Sequence, residues 1–301
     1  MNTLNDFELK QRKYMPVFPK ASGKPTTYIE GYPYEDDEPM PAGEFHGMQM
    51  HSLFDQFLRY FEAHPHIHVG MDNFIYYREG DIRKVVAPDV FVVLGAAKLP
   101  LRRSFYTWAE GTVPTAVFEF LSDTTASEDR HEKVEVYLRD MGVAEYFIHQ
   151  PNMNRPIEFR GWRRDALGDI VEIEEEGDDG LFSASLNLYF RWELHEAWEL
   201  RLLRPYLPDG TAITTSLEEH HLRVAAEELV AGEAEQRQAA ERRVREEAEQ
   251  RQAAERRVRE EAEQRQAAER RAREESERRQ AIEAELERLQ AQLANSENES
   301  E

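Results

Sequence analysis

A chain of 301 residues that is 40% hydrophobic, with a mean hydropathy of -0.75, has apolar matter for one sizeable core but leaves much of itself in water. It contains no cysteine, which excludes disulfides, thiolate nucleophiles and zinc–thiolate sites and suits a reducing cytoplasm. Its net charge of -22 repels the phosphate backbone at long range and counts against tight, non-specific duplex binding.

The first residues lack a basic region followed by an apolar run, and no apolar stretch approaches the roughly 20 residues that span a bilayer. A soluble, cytoplasmic protein without a membrane segment is expected. Residues 1–42 mix Pro16, Pro19, Pro25, Pro33 and Pro39 with Glu35, Asp36, Asp37 and Glu38, which predicts an irregular N-terminal arm. From Glu44 to Ala63 the residues Met48, Met50, Leu53, Phe54, Phe57, Leu58 and Phe61 fall at helical spacing.

Strand patterns follow over 67–77, 85–94 and 113–121, separated by turn-rich stretches, and imply a mostly buried sheet. Then the period changes. Ser127 can cap a helix, Glu128 and Asp129 suit its positive end, Val134, Tyr137, Leu138 and Met141 form a stripe, and Gly142 can end it. Further strands are expected at 144–149, 156–162, 169–174 and 186–192, with an acidic turn at 174–180. A linker and helix start occupy 206–232, where Ser216-Leu-Glu-Glu219 has the form of a capping box.

Beyond it, 233–294 is a repeat-containing helix or coiled coil, and 295–301 a polar tail. A 14-residue segment begins at Ala234, Ala248 and Ala262, the last copy carrying Ala272 in place of valine, and together the three copies contribute 12 Glu and 12 Arg. Fourteen residues make two heptads, so one face recurs. A seam through Val244 and Val258 must also accept Ala234, Arg237 and Glu241, so two readings stay open: a weakly self-associating coiled coil and a charged, solvated single helix. Ile282, Leu286, Leu289 and Leu293 form a better apolar stripe.

The chemistry concentrates in 88–133. Pro88-Asp89 opens an apolar strand, and Glu119 interrupts the apolar run 115–121, where burying an unpaired charge costs several kcal/mol. A metal ion or a cation such as Lys133 would relieve that cost; an ion pair that merely closes a sheet edge is the plainer explanation. Asp129, four residues before Lys133, could fix the ammonium or simply favour a helix dipole. His64, His66 and His68 alternate as strand residues do, but nothing supplies a fourth ligand, so surface or hairpin-edge positions are expected. Glu44, His46 and His51 could approach the carboxylates from another side.

Pro88-Asp89, Phe118-Glu119-Phe-Leu-Ser122, Asp129-Arg-His-Glu-Lys133-Val-Glu-Val-Tyr137 and Met141-Gly-Val-Ala-Glu-Tyr-Phe-Ile148 with Pro151 together resemble the Uma-two family, assigned to the PD-(D/E)XK nuclease superfamily. The resemblance covers roughly 44–192. It implies an α/β, restriction-endonuclease-like core over 43–205, with a central mixed β-sheet flanked by helices and followed by the long C-terminal helix. It also implies a site of Asp89, Glu119 and Lys133, with Asp89 and Glu119 ligating Mg2+ or Mn2+; support from Asp129 rests only on its spacing from Lys133. The superfamily's lysine normally lies two residues after the second acid, where this chain has Leu121; Lys133 matches a position displaced onto the following helix. The expected function is divalent-metal-dependent DNA endonuclease, as a homodimer through the C-terminal helix. The alternatives are a catalytically silent nuclease-fold scaffold that recruits a partner through that helix, and hydrolysis of a smaller phosphodiester.

Overall fold

The computed structural model describes residues 10, 20, 23–34, 43–122, 126–177 and 180–298, with side chains as far as 290. Most of the expected N-terminal arm, residues 123–125, the centre of the expected acidic turn (Asp178 and Asp179), the side chain of the seam candidate Leu293 and the end of the polar tail lie outside these. Two compact units are present, 1–222 and 223–301.

In the first unit, helix α1 (Glu44–Tyr60) precedes β1 (Ile67–Met71), β2 (Ile75–Tyr76), β3 (Val85–Val86), β4 (Val90–Leu94) and β5 (Phe105–Tyr106). A short helix α2 (Thr107–Glu110) leads to β6 (Ala116–Phe120). Two helical turns, α3 (Ala126–Arg130) and α4 (Glu132–Glu135), run into a π-helical turn (Val136–Met141) and then β7 (Glu145–His149). The strands β8 (Phe159–Arg164), β9 (Ile170–Glu172), β10 (Leu181–Ser183), β11 (Leu188–His195) and β12 (Leu200–Tyr206) complete the unit before helix α5 (Ser216–Asn298) begins.

The central sheet is mixed, in the order β1-β4-β6-β7-β8-β9, with β6 and β7 parallel and the other neighbours antiparallel. The fold is thus the α/β class expected, a central mixed sheet with flanking helices and a long C-terminal helix. Parallel strands need a crossover, and α3, α4 and the π-helical turn supply it. Alternation then decides what each strand residue meets. Phe118, Phe120, Val90, Val92 and Phe147 face one core with Leu53 and Phe57 of α1 and Leu188 and Phe190 of β11. Val117, Phe91, Val93, Tyr146 and Ile148 face the other, with Val134, Tyr137 and Leu138 of the crossover. Because both faces are covered, β6 and β7 are buried at every position, which explains their nearly unbroken apolar runs.

Five local expectations need correction. The pattern at 67–77 is two strands in different sheets, β1 in the central one and β2 between β3 and β5. The pattern at 85–94 is two strands, because Pro88 has no N–H to donate and the Pro88 and Asp89 carbonyls turn to the Asp72 N–H. The helix expected from Ser127 to Gly142 includes Ala126, so Ser127 does not precede it; it breaks at His131 (φ -130°, ψ -68°) and closes as a π turn before Gly142, whose φ of +83° suits glycine. The capping box lies one residue earlier than expected. The Glu218 N–H donates to Thr215 Oγ1 (3.2 Å) and the Thr215 N–H to Glu218 Oε2 (2.7 Å), while the Ser216 hydroxyl donates to Asp55 (2.7 Å). His68 is a core residue, stacked on Phe105 and pushed down to about 3 by burial and the nearby Arg102 charge.

In the second unit α5 is helical throughout its described length, and Val244 and Val258 are more than two-thirds exposed. None of the described helices is long and apolar enough to cross a membrane.

Candidate active site

Glu119 is on the crossover side of β6 and is buried, because alternation places it on the same face as Val117 and Leu121. Its Oε1 accepts from Lys133 Nζ at 2.9 Å and from the Tyr137 hydroxyl at 2.7 Å. Lys133 also meets Asp129 Oδ1 at 2.8 Å, and Asp129 is itself 1% exposed. Despite the break at His131, the i, i+4, i+8 series Asp129, Lys133 and Tyr137 stays on one side of the crossover and brings Lys133 and Tyr137 onto Glu119, with Asp129 on the ammonium.

Asp89 reaches the same neighbourhood from the adjacent strand. Val90 pairs with Phe118, so one further step of the antiparallel register puts Asp89 opposite Glu119. Its Oδ2 accepts from the Phe120 N–H at 2.6 Å, and its Oδ1 lies 2.8 Å from His46 Nε2 in the first turn of α1. Three carboxylates therefore gather with one ammonium and one imidazole, and negative charge is in excess where water is scarce.

The titration behaviour follows from that excess. Burial pushes the Glu119 carboxyl up to about 8; Lys133 opposes this, and Asp89 and Asp129 add to it. Burial alone would lower Lys133, but Glu119 and Asp129 outweigh it and hold the ammonium protonated above its ordinary range. The same contest raises His46, where the hydrogen bond and charge of Asp89 overcome desolvation, helped by Glu119 and Asp129.

Of the four residues singled out from the sequence, Glu119, Lys133 and Asp129 are bonded in one cluster, and Asp89, held by His46 and the Phe120 N–H, faces it from the adjacent strand. Glu44 and His51, considered beside His46, make no such contact with it among the described residues; His51 lines a separate cavity of about 490 Å³ with His195 and Trp198. Sequence reasoning missed Tyr137, although its place four residues after Lys133 was the available signal. Among the described residues no group of three or more His, Asp or Glu side chains converges to hold a metal ion.

A mixed α/β body whose parallel strand pair carries a buried acid bonded to a crossover lysine defines the class to be compared. Residues 15–185 match the Uma2 family, described as "Putative restriction endonuclease", and since the match takes in more than half of the chain, this protein belongs to that family. Its fold is also similar to a crystal structure described as a putative nuclease belonging to DUF820 from Anabaena variabilis, at 14% identity over 57% of this chain and 92% of that one, with a TM-score of 0.36. No curated protein matches the chain.

Proposed function

We propose that this member of the family is a divalent-metal-dependent DNA endonuclease whose working residues are Asp89, Glu119 and Lys133. The observation that carries the reading is the buried Glu119 carboxylate, bonded at 2.9 Å to Lys133 and opposed across the strand pair by Asp89. Two carboxylates are a fitting donor set for Mg2+ or Mn2+, hard ions that Mg2+-type sites commonly hold by one or two acids, with water and substrate phosphate completing the shell. Bound there, the ion would act as a Lewis acid toward the phosphoryl oxygen and acidify a water molecule.

The chain's own side chains divide the remaining work. Lys133, kept protonated by two carboxylates, serves as a donor rather than a base: it orients the attacking water and stabilises charge on the phosphoryl oxygens as the P–O ester bond breaks. Asp129 positions that ammonium. His46 and the Phe120 N–H fix the two oxygens of Asp89, and Tyr137 fixes Oε1 of Glu119, the kind of outer support that orients ligands. DNA is the proposed substrate, and we read the helical extension as a homodimerisation element of a cytoplasmic enzyme.

Incubating supercoiled plasmid with Mg2+ or Mn2+ tests the proposal. Nicking should fall by about 10²–10³-fold in Lys133→Ala and Glu119→Ala proteins; equal rates in all three would discard it. One observation favours a catalytically silent scaffold instead, namely that both Asp89 oxygens and Glu119 Oε1 already have partners within the protein. Calorimetry with Mg2+ separates the two, since a scaffold would take up no ion and cut nothing.

A further inference from the structure

The long helix carries an alternation beyond its simple repeat. Taking Val244 and Leu286 as heptad position a aligns the 14-residue copies with the terminal apolar stripe, because 42 residues are six heptads. Position a then reads Val230, Arg237, Val244, Arg251, Val258 and Arg265, and position d, three residues on, reads Glu233, Ala240, Glu247, Ala254, Glu261 and Ala268. Each heptad holds one apolar and one charged residue, valine at a with glutamate at d in one and arginine at a with alanine at d in the next, so along the seam a Glu–Arg step alternates with an Ala–Val step. Among the described residues nothing covers this seam: Val230, Val244 and Val258 are 66%, 69% and 67% exposed, and Ile282, Leu286 and Leu289 are all more than half exposed.

Orientation of a second helix decides what these charges meet. In a parallel pair each a and each d residue faces its own copy, so glutamate meets glutamate in one heptad and arginine meets arginine in the next, which sets a repulsive layer in every heptad. In an antiparallel pair a faces d. We propose that the partner of this face is a second copy of the same helix, antiparallel, centred on residue 256. This deepens the dimer reading above and rests on it. In that register Arg251 meets Glu261 of the second copy, Arg237 meets Glu275, and the apolar positions also coincide, Val258 on Ala254 and Val230 on Ile282. A slip of one heptad sets valine on glutamate throughout. In the register centred on 256 Arg237, Arg251, Arg265 and Arg279 all meet glutamate and only Arg223 faces Leu289; a slip of two preserves the alternation but either moves Arg237 from Glu275 onto Leu289 or leaves the terminal stripe without the helix opposite it. Charge complementarity thus selects both direction and register, while the thin Val–Ala layers keep the association modest.

The full-length chain tests this directly, and its lack of native cysteine makes single labelling sites clean. Sedimentation should show a dimer. Donor dyes at Glu228→Cys and acceptor dyes at Ala284→Cys on different copies should transfer energy strongly, whereas two copies labelled at 284 should not, being about 84 Å apart along the axis at 1.5 Å per residue. Strong transfer between the two 284 sites would overturn the proposal. Charge reversal gives a second, independent readout. The pair Arg251→Glu and Arg265→Glu should weaken the dimer by about tenfold or more, and adding Glu247→Arg and Glu261→Arg should restore it. In a parallel pair the first change only exchanges one like-charge layer for another, so an unaltered dimer constant would also overturn the assignment. Circular dichroism confirms that each variant keeps its helix. A monomer at all concentrations would remove the dimer reading along with this one, while plasmid nicking by that monomer would leave the nuclease reading standing.

Discussion

Replacing Glu119 with glutamine should change how the metal-free protein's stability responds to pH. Burial keeps the Glu119 carboxyl protonated to about 8, against 4.5 in an exposed chain. Between those values the folded state retains a proton that the unfolded state has released, so stability is greatest below 4.5 and falls as pH rises toward 8. The slope is about 1.4 kcal/mol per pH unit, so from about pH 5.5 to about pH 7.5 the native chain loses on the order of 3 kcal/mol that the glutamine variant keeps. For a body of this size about 1 kcal/mol moves Tm by about 2–4 °C, so the two melting curves should separate by on the order of 10 °C over that range. Unfolding is measured in chelator at several pH values, then repeated with Mg2+. An ion at the proposed site would take the place of the proton, so it should flatten the native profile and leave the variant unchanged. Parallel pH profiles in chelator would refute the reasoning, because Glu119 would then be an ordinary ionised partner of Lys133.

Removing His46 as His46→Ala should lower Mg2+-dependent nicking by about 10–100-fold and raise the Mg2+ concentration needed, since Asp89 loses the group that orients Oδ1; an unchanged Mg2+ dependence would count against that role. His149 is buried, donates to the Arg201 carbonyl at 2.8 Å and is pushed down to about 4 by desolvation. The unfolded chain takes up this proton near 6.5, so stability should drop by about 3 kcal/mol as pH falls from 6.5 toward 4, and His149→Gln should flatten that part of a urea-midpoint profile. Gly70→Ala should destabilise by about 1–3 kcal/mol in urea unfolding, because a Cβ there would stand 2.1 Å from the Phe91 ring.

Much of the site was legible because its determinants are local in the chain. An acid in an otherwise apolar strand, an aspartate after proline and a lysine on the next helical pattern are visible without coordinates, and alternation and helical spacing bring them within bonding distance. What supports them is not local. Asp89 draws on the N–H of Phe120 and on a helix that begins 45 residues before it, and neither pairing leaves a periodic trace. The break at His131 and the π turn are equally silent, since the apolar stripe reads the same through regular and irregular helix. The sheet β10-β11-β12 was only partly anticipated. Its strand β12 contains Arg201, Arg204 and Pro205, which resemble loop composition, yet Leu200, Leu203 and Tyr206 are buried. The capping residue was misplaced by one because Thr215 and Ser216 are both good caps, and only Asp55, distant in sequence, claims one hydroxyl.

The far end of α1 decides where the chain can be cut. Gln56 donates to the Ile213 carbonyl, Arg59 reaches the Thr214 and Thr215 carbonyls and the Glu219 carboxylate, and Asp55 accepts from Ser216. A shortened protein that stopped near Pro208 would discard all of these acceptors and donors and expose Phe57's neighbours on the same helix to water. Stopping beyond 222 spares them, and only from there does the shortened protein become a fair control for what the tail contributes.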